Sequence, residues 1–379
     1  MTVRFLVGLL MGVGMAMATP AMAATAKRSS FGKLPDGRDV AAVTLTNGRG
    51  MSATLIAYGA AIQSVILPDR TGKPADIAIG HSTLAEYLAK PQYFGATVGR
   101  FATRIARGRF TLDGRSYQTP VNNGPNALHG GTQGFDKVLW TVRDVKSGPT
   151  ASVTMRYVSP DGDQGYPGAM TVDATYSLDE RDQLTIEYRA TTTKPTIANI
   201  TNHAYWNLAG EGAPEGAMGH VVTIPADSFL PTDAGAIPTG ERKSVAGTVF
   251  DFRRPTAIGA RVRDASDEQI VFGRGYDHNW IIAREVTPDL HLMARVEDRV
   301  SGRGYELHSN QPGLQFYSGN FFDATSIGKN RRLHRMGDAI VMEPQLFPDT
   351  PNQQGFPSAR LNPGQTYRNV MVYRFTTGR

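Results

Sequence analysis

The chain has no cysteine among its 379 residues. That excludes disulfides, thiolate nucleophiles and thiolate-ligated zinc, and it suits an exported protein that need not fold oxidatively. A phosphate-binding loop and a dinucleotide fingerprint are also missing, so no nucleotide cofactor is expected. Few stretches hold a 3.6-residue apolar period, which leaves little room for long helices. A fixed-period repeat is absent too, which argues against a propeller. Beyond the N-terminus no run is long and apolar enough to cross a membrane. The formal net charge is +6 with a pI near 9.4, but the basic residues are scattered. The one tight cluster, Lys329, Arg331, Arg332 and Arg335, reads as a solvated face. With no nucleic-acid motif beside it, no nucleic-acid partner is expected.

What is present is glycine and proline, 41 and 23 residues, in a chain 40% hydrophobic and 20% charged. This is a soluble globular composition suited to many short strands joined by tight turns. Arg4, an uncharged apolar stretch over 5–19 and Ala21-Met22-Ala23 resemble a secretory signal. Cleavage after Ala23 is expected, giving a signal peptide over 1–23 and a mature chain of 379 − 23 = 356 residues. Residues 24–30 read as a flexible lead, and 31–379 as one domain. Short strands then recur at roughly 8–12-residue spacing. Alternation is strongest over 151–158, 170–177 and 183–191, and Asn47-Gly48 signals a hairpin. One short helix is expected over 82–90, with Ser82 as its N-cap. The fold class is all-β, a large antiparallel β-sandwich.

The chemistry concentrates in segments of one texture. Thr201–Leu208, TNHAYWNL, mixes imidazole, phenol and amides. Strand alternation puts His203, Tyr205 and Asn207 on one face and Ala204, Trp206 and Leu208 on the other. Residues 122–131 are dense in asparagine and glycine and contain His129, and 275–280 hold Asp277, His278 and Trp280. Arg100 and Arg104 lie four apart, and Glu343 follows an apolar strand over 339–342, where an unpaired carboxylate would be costly to bury. Recurrent Asn, His, Asp and Arg among Tyr and Trp suit a sugar cleft, in which aromatic faces cover C–H surfaces and polar groups bind hydroxyls. Within it a buried Glu and a His form a natural base and acid pair.

Eight ordered blocks, including GRFATRIARGRF (99–110), NNGPNALHGG (122–131), TNHAYWNL (201–208), YDHNW (276–280), PGLQFYSGN (312–320) and EPQLFPDTPNQ (343–353), resemble the aldose 1-epimerases, or galactose mutarotases. The resemblance covers nearly all of 31–375 and implies the galactose mutarotase-like supersandwich. It implies interconversion of α and β anomers of free aldohexoses, with Glu343 as base at the anomeric hydroxyl and His203 as acid at the ring oxygen. His129 would be the second histidine near that oxygen. Thr103, Arg104, Tyr205, Asp277 and Gln315 would line the sugar site. A monosaccharide would be the partner, with no cofactor, no metal and no membrane contact after signal cleavage, in a monomer or weak homodimer. Thr103 stands where the family usually has Asn, which bears on sugar preference. Pro344 replaces a common Thr, and Trp206 a common Phe. A glycoside hydrolase would need two flanking carboxylates, for which Glu343 and Asp277 are the nearest candidates. A non-catalytic sugar sensor has no need of both His203 and Glu343. A phosphorylated sugar would want clustered cations, and Arg100 with Arg104 supports that weakly.

Overall fold

The computed structural model describes residues 1–2, 23–329 and 331–378. The expected signal peptide, apart from its two ends, lies outside them. Three large antiparallel sheets dominate. A five-stranded meander runs in chain order through Thr25–Lys33, Asp39–Thr46, Ser52–Ile56, Ala61–Pro68 and Pro74–Asp76. A nine-stranded sheet is centred on Tyr367–Thr377, flanked by Gln183–Thr192 and Arg303–Ser309, with Met170–Asp179 next to Gln183–Thr192. A six-stranded sheet has the spatial order Tyr205–Trp206, Ile340–Gln345, Gly313–Tyr317, Asp277–Ile281, Ser228–Leu230, Lys243–Ser244. The all-β expectation holds. Among the described residues no helix is long and apolar enough to cross a membrane.

The pleat builds the core. Val153, Met155, Val172, Ala174, Tyr176, Leu184, Ile186 and Tyr188 alternate inward from the nine-stranded sheet, and Trp206, Trp280, Leu314, Phe316 and Met342 from the six-stranded one. They form one buried cluster in which Trp206 lies 5.2 Å from Tyr373 and 5.6 Å from Phe375, ring centre to ring centre. Such sheet-on-sheet packing interleaves every second residue of each strand and leaves the alternate set for another face.

Three local expectations need correction. Residues 24–30 are not a loose lead: Thr25–Lys33 pairs with Asp39–Thr46 along its length, with a register shift between Ser30 and Gly32. Only Ala26, Phe31 and Gly32 of the strand are half-buried, so it carries no apolar alternation to read, and the backbone ladder defines it. The helix spans Leu84–Ala89 and is capped by Thr83, not Ser82. Thr83 Oγ1 accepts from the Glu86 N–H at 3.3 Å and the Glu86 carboxylate accepts from the Thr83 N–H at 2.9 Å, a reciprocal capping box. Lys329 is not part of a solvated basic face. Its ammonium donates to Asp76 at 2.7 Å, Gln63 O at 2.7 Å and Ala78 O at 2.8 Å, and lies 3.2 Å from Glu211.

Candidate active site

The outward face of the six-stranded sheet is polar. Gln315 sits directly opposite Glu343 on the neighbouring strand, Asp277 opposite Tyr317, and Tyr205 opposite Val341. Gln315 Nε2 donates to Asp277 Oδ1 at 2.8 Å, tying two of these strands side chain to side chain. Glu343 lies inside its strand, Ile340–Gln345, rather than at its end. Pro344 is accommodated there, and its carbonyl accepts from Thr201 Oγ1 at 2.8 Å and Asn369 Nδ2 at 2.9 Å. His203 is held by backbone on both sides: its N–H donates to Ala96 O at 2.8 Å and its carbonyl accepts from the Gly95 N–H at 3.1 Å.

The second wall comes from two loops. Ala127–Leu128 pairs with Arg104–Ile105. Asn122 braces the turn, its Nδ2 donating to Leu128 O and Gly131 O, both at 3.0 Å, and its Oδ1 accepting from the Leu128 N–H at 2.7 Å. His129 and Thr103 both have left-handed backbone, φ 51° and 64°. Each donates to the other: the His129 N–H to Thr103 O at 3.0 Å and the Thr103 N–H to His129 Nδ1 at 3.1 Å. Gly130 must be glycine, because a Cβ there would stand 1.9 Å from Gly99 O. Arg104 Nε donates to Asn123 Oδ1 at 3.0 Å and its guanidinium meets Asp277 at 3.4 Å.

All eight residues singled out from the sequence, Thr103, Arg104, His129, His203, Tyr205, Asp277, Gln315 and Glu343, line one cleft of about 490 Å³. Others point elsewhere. Arg100 is buried behind it, donating to Ser159, Pro160, Pro167 and Gly168. His278 faces the core and contacts Gln269 Oε1 at 3.2 Å. Asn207, expected to share a face with His203, donates to Asp338 O at 2.9 Å inside the protein, because the strand there is only Tyr205–Trp206 and alternation ends with it. The cleft also uses Tyr93, Asn123, Tyr317, Phe272, Phe321 and Phe322. Tyr317, in the 312–320 block, stood among Gln315, Ser318 and Asn320 and could have been found there, whereas Tyr93 and Phe272 carried no such mark.

His203 Nε2 lies 3.8 Å from Glu343 Oε1. Both side chains are almost wholly buried, and among the described residues His203 Nδ1, Glu343 Oε2, Gln315 Oε1 and Thr103 Oγ1 have no hydrogen-bond partner. Polar atoms left this way at the wall of a cleft are poised for a hydroxylated ligand. Burial pushes the Glu343 carboxyl well above the usual range. The nearby Asp277 adds to this and Arg104 opposes it. Burial pulls His203 down to about 4. His129 is also held well below its ordinary value, by burial first and then by His203, Arg104 and Lys137.

One donor atom from each of His129, His203 and Glu343 lies within 4.8 Å of the others, a combination that could suggest a metal. The donor chemistry is wrong for it. His129 Nδ1 accepts a hydrogen bond from the Thr103 amide, so its own hydrogen is on Nε2. That atom is then an N–H donor aimed at a ligand rather than a lone pair for a cation.

The aldose 1-epimerase family model matches residues 41–374. Galactose mutarotase from Sus scrofa is 42% identical over 349 residues, 92% of this chain and 98% of that protein. Aldose 1-epimerase from Escherichia coli is 34% identical over 343 residues, 90% and 96% respectively. The crystal structure of galactose 1-epimerase from Lactobacillus acidophilus superposes with a TM-score of 0.82 at 29% identity, covering 93% of this chain and 99% of that one. Fold, cleft and relatives agree: the chain belongs to the aldose 1-epimerase family.

Proposed function

We propose that this protein interconverts the α and β anomers of free aldoses of the glucose and galactose type. The observation that carries the reading is the His203–Glu343 approach, 3.8 Å, at the floor of a cleft whose remaining polar groups suit sugar hydroxyls. Glu343 takes the proton from the anomeric hydroxyl as the C1–O5 bond breaks, and His203 gives its proton to O5. The free aldehyde turns about C1–C2. Reclosure with the roles reversed forms the other anomer and returns both protons. His129 Nε2–H donates near the ring oxygen, while Arg104, Asp277, Gln315, Thr103 and Tyr205 bind and orient the sugar.

The electrostatics suit a reversible shuttle. Burial raises Glu343 and lowers His203, so the proton shared by the pair prefers the carboxyl. That is the distribution needed for the open-chain half of the cycle. The ring-closed sugar needs the other one, and only a proton shift separates them. The pair therefore works while it holds one proton in total. Activity should fall below about pH 4, where His203 gains a second one.

Polarimetry of freshly dissolved α-D-glucose and α-D-galactose tests the reading. Faster decay to the unchanged final rotation is expected. No acceleration with any common aldose would overturn it. Export to the periplasm or medium after cleavage at Ala23 is part of the same proposal. It is supported by Ala24, the residue directly beyond that point, which is buried and whose carbonyl accepts from the Gly148 N–H at 2.9 Å. N-terminal sequencing of secreted material checks the junction, and sedimentation checks the expected monomer or weak dimer.

A further inference from the structure

His203 is unusual for a proton-transfer histidine. A working imidazole is commonly oriented by a hydrogen bond to its second nitrogen. Here Nδ1 has no such partner among the described residues, and packing must hold the ring. Two tyrosines flank it: Tyr205 at 4.9 Å and 38°, and Tyr93 at 5.6 Å and 30°. Tyr93 also touches His129, centroids 4.8 Å apart at 61°, and the two histidines are 5.1 Å apart at 86°. Tyr93, His129 and His203 thus form a closed triangle of rings, each fixing the other two.

Tyr93 occupies this place against its backbone preference. Its φ is 60°, a left-handed conformation that is rare for a bulky side chain and that asparagine or glycine would adopt more readily. Strain of this kind persists where the surroundings demand it, often at a functional site. Lys137 braces the ring from a different element. Its ammonium lies 5.1 Å from the Tyr93 ring centre, within cation–π range, and is pinned by the buried Asp136 at 2.8 Å. Tyr93 is half-buried and lines the cleft beside both histidines.

We infer that Tyr93, braced by Lys137, is a positioning residue that holds His203 and His129 in register for proton transfer. This rests on the reading of His203 and Glu343 as the acid–base pair. The charged and titratable groups facing the two imidazoles are Glu343, Asp277, Arg104, Lys137, Tyr93 and Tyr205, besides each other.

Tyr93→Asn tests it, because asparagine suits the left-handed backbone while removing the ring. The variant should stay folded, because relief of the left-handed backbone offsets part of the lost ring packing. Its kcat should fall roughly tenfold to a hundredfold, the scale expected when a catalytic group is misplaced by about an ångström, with KM changed less. Tyr93→Phe should restore kcat to within about threefold. In Tyr93→Asn the imidazole C–H resonances of His129 and His203 should lose only the Tyr93 part of their ring-current shifts, since Tyr205 still faces His203. They should also broaden as the rings leave a single orientation, whereas in Tyr93→Phe they should stay shifted and sharp. This readout needs no turnover. If the wild-type protein failed to accelerate mutarotation, the acid–base reading would fall and the resonances would still decide whether Tyr93 orders the histidines. A folded Tyr93→Asn with kcat within twofold of wild type, or with unmoved resonances, overturns the inference. So does a Tyr93→Phe as impaired as Tyr93→Asn, since the hydroxyl rather than the ring would then be the operative part.

Discussion

The two faces of the six-stranded sheet are made by the same strands and obey opposite rules. On the inner face Trp206, Trp280, Leu314, Phe316 and Met342 bury carbon against carbon. On the outer face Tyr205, Asp277, Gln315 and Glu343, one residue out of phase, line a cleft with partnerless polar atoms. Close packing makes the inner face intolerant of lost volume. The outer face tolerates polar exchange in the fold but not in the chemistry. One pleat therefore separates stability from catalysis at a spacing of a single residue.

Substitutions that respect or cross this division should behave differently. The largest effect belongs to the outer face: His203→Ala and Glu343→Gln should each lower kcat by about 10²–10⁴, the usual worth of a positioned proton donor or acceptor. Neither should unfold the protein. Glu343→Gln should raise the melting temperature at neutral pH. The sign follows from linkage. Glu343 keeps its proton in the fold to a pH well above that of the unfolded chain, so ionisation opposes folding as pH rises past the ordinary carboxylate value of about 4.3. The stabilising difference should therefore vanish near pH 4. A Glu343→Gln protein less stable than wild type at pH 8 would break the comparison.

The inner face should answer in the other currency. Trp280→Ala empties a wholly buried site packed against Phe250, Phe252 and Phe316, and should cost about 3–5 kcal/mol in denaturant unfolding. The rate per folded molecule at low temperature should stay within a few fold. A selective loss of kcat with full stability would show that the faces are not separate.

Asp277→Asn is intermediate. Its charge helps to hold the Glu343 carboxyl up, so removing it should move the alkaline limb of the kcat/KM profile to lower pH. It also removes the charge opposite Arg104 and leaves one neutral oxygen for Arg104 and Gln315 to share, and KM should rise roughly tenfold, as for a lost charged hydrogen bond. Thr103→Asn should do least. The backbone at φ 64° suits asparagine, and the contact to His129 is made by the main-chain amide. Rates should stay within about threefold, with a change of preference among glucose, galactose, xylose and arabinose. Equal ratios across the four sugars would remove any role for that side chain in selection.

Legibility followed the same division. Alternation over 151–158, 170–177 and 183–191 was readable because each strand has one buried face. Thr25–Lys33 was not, since neither of its faces is buried along its length. The site residues were readable where imidazole, amide and acid stood among aromatics in one short segment. Arg100 and Arg104 show the limit. Four residues apart in one motif, the first fastens the 159–168 turn from inside and the second reaches Asp277 across the cleft. Lys329 looked like part of a basic surface because the acids that hold it, Asp76 and Glu211, are more than a hundred residues away in the chain.

By itself the sequence determined the strand rhythm, the all-β class and the residue types able to bind a sugar and move its protons, because periodicity and side-chain chemistry are local properties. Tertiary structure alone decided which of these groups meet. His203 and Glu343 are 140 positions apart in the chain, and only sheet register and loop closure bring them to 3.8 Å. Only burial could drive their proton affinities in opposite directions, since desolvation penalises whichever form is charged. Tyr93 has no signature at all until folding stands it against two histidines, since its part is packing between distant segments.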